Sequence, residues 1–574
     1  MNDTPDDTAE PGGFSRRLTR YGDPGFARFL RDAFLGAAGL TGDATDRPVV
    51  GIATTESEFN PCHASAPQLI AAIRRGVTLA GGLPLTFPTI SLHESFAYPT
   101  SMLLRNLMAM DTEEMLRALP VDAVVLVGGC DKTIPAQIMA AVSADVPALV
   151  APVGPMLAGN DEGERIGACT DCRRLWAAWR AGEIDRASLE QSRDQLTPTH
   201  GTCMVMGTAS TMACIAETLG FVLPGGGSIP AVHSERLRFG ERTGTRATAL
   251  ARNRGPTPRS LVTAASIRNA ITVLQAIGGS TNAVIHLAAI AGRAGIPFDL
   301  ADLDSAGRDL PVLVDLKPVG TGFMQDFHDA GGLPALMRRI AQRLDLRTPT
   351  ADGRTIGDVL DTWPARIDDR VIRDTADPVA AGPAIATLRG NLAPDGAVLK
   401  AAAASPALLQ HEGPALVFDG LADLDARIDD PDLPVAADHV LVLRGAGPVG
   451  GPGMPEAGSI PIPAKLARQG VRDMVRVSDA RMSGTARGTV ILHVAPEAAV
   501  GGPLALIRDG DTVRLDFAAR RLDLLVDDDE LGRRRDTLER PSLPPRGYAR
   551  LYAEHVTQAD AGCDFDFLRE PRSP

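Results

Sequence analysis

A short apolar run, Asp122-Ala-Val-Val-Leu-Val127, constrains this chain most, because it ends directly in Gly128-Gly129-Cys130-Asp131-Lys132-Thr133-Ile134-Pro135. Continuous, β-branched and short, the run reads as a buried strand. The two glycines let the backbone turn sharply out of a sheet. A thiol, a carboxylate and an amine follow at consecutive positions. Ligands bind at the carboxyl ends of strands in open α/β sheets, so these groups stand where chemistry usually happens. On this stretch alone two readings weigh evenly. One is a site; the other is a small core cysteine followed by a solvated pair capping the next helix.

Neighbouring segments extend the pattern. Val49-Val-Gly-Ile-Ala-Thr-Thr55 reads as a first buried strand that runs into Glu58-Phe-Asn-Pro-Cys62-His63 and a helix over 66–80. A strand over 84–90 ends in Ser91-Leu-His93-Glu94-Ser95. After the opening motif come a helix through Gln137–Val142 and a strand over 147–152. Strands alternating with helices imply βαβ units and a parallel sheet covered on both faces. Three strand ends would then present Cys62, Glu94 and the Cys130-Asp131-Lys132 trio, which is a composite site. Residues 14–48 read as a helical lead-in, with Phe26, Phe29, Leu30, Phe34 and Leu35 at helical spacing. Residues 1–13 are acidic without an apolar core, so they read as a short disordered lead and not a signal peptide.

A chain of 574 residues has room for several domains. A change in composition over 365–385 suggests a linker, and short strands separated by turns follow it. The expected fold class is α/β, with lead-in 1–45, a parallel α/β region 46–384 and a β-rich, barrel-like region 385–574. The tail beyond about 530 reads as a helix packed on the surface. The net charge of −13 gives no general electrostatic support for binding nucleic acid or an anionic membrane. No apolar run approaches the ~20 residues that cross a bilayer. An anionic small substrate therefore needs a local positive device. Seven cysteines form an odd and sparse set, which points to free thiols in a reducing compartment, the cytoplasm.

Several motifs have blander readings. Cys169-Thr-Asp-Cys172 could be a redox pair or half a zinc site, but no second ligand pair accompanies it. It reads as two incidental cysteines ahead of a helix containing Trp176 and Trp179. Cys203 stands just before an apolar helix whose first turn is built of small residues, a place that lowers a thiolate pKa. Cys214 falls mid-helix and reads as core. Pro224-Gly-Gly-Gly-Ser228 lacks the Lys-Ser/Thr of a phosphate loop and reads as a turn. Residues 256–345 read as mostly helical, with 315–328 as loops near a site. Two glycine-dense loops, 445–456 and 476–488, suit close approach of backbone to a ligand.

The motifs Asn60-Pro-Cys62-His, Gly129-Cys130-Asp-Lys-Thr, Gly201-Thr-Cys203-Met, Gly278-Gly-Ser-Thr-Asn282-Ala, Leu388-Arg-Gly-Asn-Leu-Ala-Pro-Asp-Gly396, Gly450-Gly-Pro-Gly-Met-Pro-Glu456 and Ser478-Asp-Ala-Arg-Met-Ser-Gly484 occur in one order along the chain. Together they resemble the dihydroxy-acid and sugar-acid dehydratase family over about residues 45–545. Cys130-Asp-Lys-Thr-Ile-Pro-Ala and Ser91-Leu-His-Glu94-Ser look closer to the pentonate and hexonate dehydratases, such as L-arabinonate dehydratase, than to the branched-chain enzymes. The resemblance implies dehydration of a 2,3-dihydroxy acid to the 2-keto-3-deoxy acid. It implies that Cys62, Cys130 and Cys203 hold an iron–sulfur cluster, [2Fe–2S] with [4Fe–4S] as the alternative. It further implies that Glu94, Asp131, Lys132 (carbamylated) and Glu456 surround Mg²⁺, and that Ser483 is the base. A homodimer or homotetramer is expected. No role follows for Cys169, Cys172 or His93. The alternatives are a branched-chain dihydroxy-acid dehydratase and a non-catalytic, cluster-containing sugar-acid-binding relative.

The implied groups suit the chemistry. Removing a proton beside a carboxylate requires charge neutralisation, which a hard cation with oxygen ligands supplies. Expelling hydroxide requires a Lewis acid, and three thiolates leave a cluster one open position. A serine hydroxyl is a very weak acid, so Ser483 either is strongly activated or only hydrogen-bonds substrate.

Overall fold

The computed structural model describes residues 12–539 and 541–570. The expected disordered lead therefore falls almost wholly outside the described residues. Four strands, β1 (Val49–Thr54), β2 (Leu83–Pro88), β3 (Ala123–Gly128) and β4 (Ala148–Pro152), form a parallel sheet in the order β2-β1-β3-β4. β3 is buried along its whole length, as its unbroken apolar sequence requires. The chain leaves β1 for β2 on one side and later returns to β3 on the other, so the sheet has a switch point between β1 and β3. Cys62 and Cys130 follow those two strands.

Helices α1 (Pro24–Ala37), α2 (Ala66–Leu79), α3 (Arg105–Ala118) and α4 (Thr133–Ala144) accompany this sheet. A hairpin, β5 (Gly159–Asp161) and β6 (Glu164–Ile166), precedes α5 (Thr170–Ala181) and α6 (Arg186–Arg193). Then come α7 (Thr208–Thr218), α8 (Ser234–Asn253), the one-turn α9 (Pro258–Leu261), α10 (Ala264–Ala276) and α11 (Asn282–Arg293). α2 and α8 pack at glycine notches: a Cβ on Gly76 would lie 2.0 Å from the Glu241 carbonyl oxygen, and one on Gly244 2.1 Å from that of Ile73. Only glycine permits that approach.

The C-terminal region is an eight-stranded mixed sheet built from β7 (Ala386–Leu388), β8 (Gly396–Leu399), β9 (Gln410–Asp419), β10 (Val440–Arg444), β11 (Arg476–Ser478), β12 (Val490–Ala495), β13 (Thr512–Asp516) and β14 (Arg521–Leu524). Its order is β14-β13-β9-β10-β11-β12-β8-β7, and a bridge between Arg389 and Arg521 joins the two ends into a nearly closed barrel. Alternation along the strands divides the two faces. Val417, Val442 and Val477 fill the interior, while Leu416, Phe418, Leu441 and Leu443 pack on the outside.

Two local expectations change. Residues 365–385 are not a free linker but are tied to the preceding region at two points, where Ile372 pairs with Val314 and Ala380 with Val312. The tail is not merely superficial. Cys563, Asp564 and Phe565 are fully buried, and Arg105 donates to the carbonyls of Gly562 and Cys563, each at 2.9 Å. The apolar face of α1 remains outside, with Phe29 and Phe34 68% and 74% exposed. The glycines at 225 and 227 form a turn as expected, donating to the buried Glu217 carboxylate of the chain itself.

Candidate active site

The Gly128-Gly129-Cys130 turn is held from below by one imidazole. His63 Nε2 accepts from the Gly129 and Cys130 N–H groups at 3.0 Å each, and its Nδ1 lies 2.8 Å from the Thr55 carbonyl. That pattern fixes the neutral tautomer with the proton on Nδ1. Burial pushes the pKa of His63 down to about 4. The turn places Cys130 beside Cys62, and one ligand atom from each of Cys62, Cys130 and His93 falls within 4.8 Å of the others. A hydrogen bond with Cys130, together with burial, pushes the Cys62 thiol well up.

Cys203 stands in the loop before α7, outside that group of three ligand atoms. Its expected low pKa does not hold among these thiols, because the hydrogen bond with Cys169 and burial push it well up. Cys169 Sγ lies 3.7 Å from Cys203 Sγ. Cys172, in the first turn of α5, hydrogen-bonds Cys169, and these two bonds hold the Cys169 thiol well below its ordinary value. Long-range folding places the Cys169-Cys172 pair against Cys203, which spacing alone could not show.

The second group lies on the other side of the turn. Carboxylate oxygens of Glu94, Asp131 and Glu456 converge within 4.8 Å. Lys132, with no exposed surface, stands among them, pairing with Asp131 Oδ2, Glu94 Oε2 at 3.0 Å and Glu456 Oε1 at 3.6 Å. Burial and Arg481 favour neutral Lys132, but Asp131, Glu94 and Glu456 outweigh them and hold the ammonium above its ordinary value. Burial opposes ionisation of Glu94 too; Lys132, Arg481, Ser101 and Thr100 nonetheless bring it well below the usual range. For Glu456, burial wins and raises it. Three partly buried carboxylates that converge around Lys132, two of them also paired with Arg481, form an oxygen donor set that fits a hard divalent ion. The two thiol pairs likewise fit an iron–sulfur cluster.

Side chains without an assigned role complete the site. Arg481 donates to Glu456 at 3.1 Å and to Thr100 at 3.1 Å. Thr100 donates to Glu94 at 2.7 Å, and Ser101 bonds its other oxygen. Asn282 Nδ2 reaches both Glu456 Oε1 (3.2 Å) and Thr208 (3.0 Å), while its own Oδ1 is buried without a partner. Arg481 and Asn282 lie inside motifs quoted above; Thr100 and Ser101 carried no sequence signal beyond nearness to Glu94.

Ser483 approaches from the barrel loop after β11. Its hydroxyl is 2.8 Å from that of Thr485. Gly484 packs so closely on Ser280 and the Thr208 N–H that a Cβ there would meet them at 2.6 and 2.8 Å. Thr208 therefore touches both the Ser483 loop and the Asn282–Glu456 contact. Among the described residues no hydrogen bond joins Ser483 directly to the carboxylates. Lys400, also fully buried, donates to the Gly484 carbonyl at 3.1 Å, and burial with help from Arg487 brings its pKa down to about 7. A cleft of about 980 Å³ opens beside Thr485 and Thr170; Arg173, Lys317 and Arg487 are among the side chains lining it.

Residues 47–359 match the family described as dihydroxy-acid/6-phosphogluconate dehydratase N-terminal, and residues 370–563 the corresponding C-terminal family. The chain belongs to that family. It is an enzyme, a hydro-lyase. It is 49% identical over 91% of both chains to a 6-deoxy-6-sulfo-D-gluconate dehydratase of Pseudomonas putida. It is 50% identical, again over 91% of both, to an L-arabonate dehydratase of Azospirillum brasilense. A dihydroxy-acid dehydratase of Solidesulfovibrio magneticus is 38% identical over 92% of this chain and 96% of its own. The sugar-acid enzymes are thus the more similar of these relatives, in line with the resemblance read at Ser91–Ser95 and Cys130–Ala136. No helix among the described residues is long and apolar enough to cross a membrane.

Proposed function

We propose that the protein dehydrates a sugar acid, an aldonate, to its 2-keto-3-deoxy acid. The observation that carries this reading is the pairing of a thiol group and a carboxylate group on opposite sides of one turn, Cys130-Asp131-Lys132. In this reading Cys62, Cys130 and Cys203 hold an iron–sulfur cluster, [2Fe–2S] in preference to [4Fe–4S], and Glu94, Asp131, carbamylated Lys132 and Glu456 hold Mg²⁺. When bound, these groups supply a Lewis acid for the C3 hydroxyl and charge neutralisation for the C2 carbanion. Arg481 orients Glu456 and Glu94, and Thr100 and Ser101 fix the second carboxylate. Asn282, anchored on Glu456 and Thr208, offers its unpartnered oxygen to a substrate hydroxyl. Ser483 Oγ takes the C2 proton, and Thr485 orients it. The close seating of the Gly484 turn at the N-terminus of α7 favours negative charge there.

The cleft beside Thr485 receives the distal end of the aldonate. Arg173 and Arg487 line it without a carboxylate partner among the described residues, which favours substrates carrying a second anion. The seven free thiols suit a cytoplasmic enzyme, and the exposed Phe29 and Phe34 of α1 suit a homodimer or homotetramer covered there by a second copy. Light scattering that gives a monomer mass would contradict the last point.

The function is tested by offering anaerobically purified enzyme a panel of aldonates and 2,3-dihydroxyisovalerate, with and without Mg²⁺, and measuring 2-keto acid. Magnesium-dependent product from aldonates supports the reading. Product from dihydroxyisovalerate alone would assign it to branched-chain synthesis, and no product from any would favour a binding protein. Ser483→Ala should keep the visible spectrum of the cluster and abolish turnover; substantial residual activity would remove Ser483 as base.

A further inference from the structure

Lys400 follows β8 directly and is fully buried, and among the described residues no carboxylate pairs with it. Burying an amine without a counter-ion is costly, and a neutral side chain would satisfy a lone carbonyl at lower cost. Its Nζ donates at 3.1 Å to the carbonyl of Gly484, the residue after Ser483. A trans peptide unit is planar, so that carbonyl and the Thr485 N–H point to opposite sides of one rigid plate. The N–H end of the plate donates to Ser483 Oγ at 3.4 Å. We propose that Lys400 is a positioning residue for the base: through the Gly484–Thr485 peptide it holds and polarises the N–H that stabilises Ser483 Oγ as an anion.

The hydrogen bonds around the turn separate this role from a purely structural one. Thr485 supplies both groups that bond Ser483 Oγ, its N–H and its hydroxyl at 2.8 Å. A serine hydroxyl is too weakly acidic to take a proton from carbon unless its anion is stabilised. Donors fixed in advance do this without reorganisation during the reaction. A donor on the carbonyl end of an amide also strengthens its N–H end, by ~10–30% per bond. The turn is anchored elsewhere without Lys400. The Thr170 hydroxyl donates to the Thr485 carbonyl at 3.3 Å, and the Ala486 N–H to the Ser483 carbonyl at 3.0 Å. The Gly488 N–H donates to the Ala403 carbonyl at 2.9 Å, which ties the turn to the segment after Lys400. The single bond from the lysine is thus left to act on one peptide.

This inference rests on Ser483 as the base, and one experiment separates the two. Lys400→Met and Lys400→Leu remove the donor, Lys400→Arg retains one, and Ser483→Ala is run beside them. Each enzyme is purified anaerobically, checked by melting curve and visible spectrum, and assayed with an aldonate and with the same aldonate deuterated at C2. Both apolar variants relieve the burial of an amine and should fold. In them KM should stay near the wild-type value while kcat falls about tenfold, the signature of an interaction made in the transition state. The C2-deuterium isotope effect on kcat should rise, because proton removal has become slower; a loosened fold alone would not single out that step. Lys400→Arg should recover part of kcat. Either apolar variant, folded and with the wild-type spectrum, overturns the proposal if its kcat and isotope effect match wild type. A raised KM with unchanged kcat overturns it too. An inactive Ser483→Ala beside a fully active Lys400→Met sinks this inference alone, whereas substantial activity in Ser483→Ala sinks the base assignment and this inference together.

Discussion

His63 shows how much of this site depends on one side chain with no chemical part in the reaction. Its Nε2 satisfies two backbone N–H groups of the turn that carries Cys130. His63→Ala leaves both donors buried and unpaired, which costs about 1–3 kcal/mol per group. We expect this variant to fold with a lower melting temperature and to bind far less iron, with partial recovery in His63→Gln; normal iron content in the alanine variant would contradict the assignment. Lys400 makes a second case. Its pKa in the folded state, about 7, lies below the ordinary 10.5, so between those values the unfolded chain holds more protons. Stability should therefore rise as pH increases from about 7 towards 10.5, by about 5 kcal/mol at most. Lys400→Met should flatten that rise in a denaturation series, and an unchanged pH slope would contradict it. Residues of this kind were illegible in the sequence. Cys62, Cys130, Glu94 and Glu456 belong to motifs that point to a role, whereas His63, although inside one of them, and Thr100 and Lys400 outside, acquire a role only from neighbours that folding brings to them.

At the scale of elements, the strands of the first sheet were readable because burial on both faces leaves an unbroken apolar, β-branched signature. Val49–Thr54 and Ala123–Gly128 are the clear cases. The barrel was readable only as a class, since its parallel and antiparallel pairings depend on contacts far apart in the chain. Helix packing was not readable at all. Gly244 looks like a weak point in α8, where alanine would gain about 1 kcal/mol of helix propensity. Packing reverses that sign, because the new Cβ would lie 2.1 Å from the Ile73 carbonyl and push α8 off α2. Overpacking of this kind costs about 1–3 kcal/mol. Gly244→Ala should thus lower the denaturation midpoint in urea, and a stabilised variant would show that the two helices can slide apart cheaply.

Over the whole molecule, the site is assembled from the strand ends of one sheet, the helix starts of α7 and α11, and two loops of the barrel. The C-terminal tail locks these parts together. Arg293 and Asp564 form a fully buried ion pair at 2.6 Å, with Glu113 as a second partner of Arg293 at 3.0 Å. Breaking such a pair from one side costs about 3–5 kcal/mol. Asp564→Asn should accordingly lower the melting temperature by several degrees although no substrate contact changes; an unaltered melting curve would show that the tail is dispensable. The sequence presented this tail as a surface helix because its charged stretch around α-helical residues 528–536 masks the buried residues that follow.

In the proposed function, adjacent residues of one turn serve different metal centres. This arrangement is tested most directly by metal analysis of Cys130→Ser and Asp131→Asn, each prepared anaerobically and equilibrated with Mg²⁺. The account predicts that Cys130→Ser loses iron and sulfide but retains magnesium, and that Asp131→Asn retains iron and sulfide but loses magnesium. Loss of the same metal from both variants would contradict it.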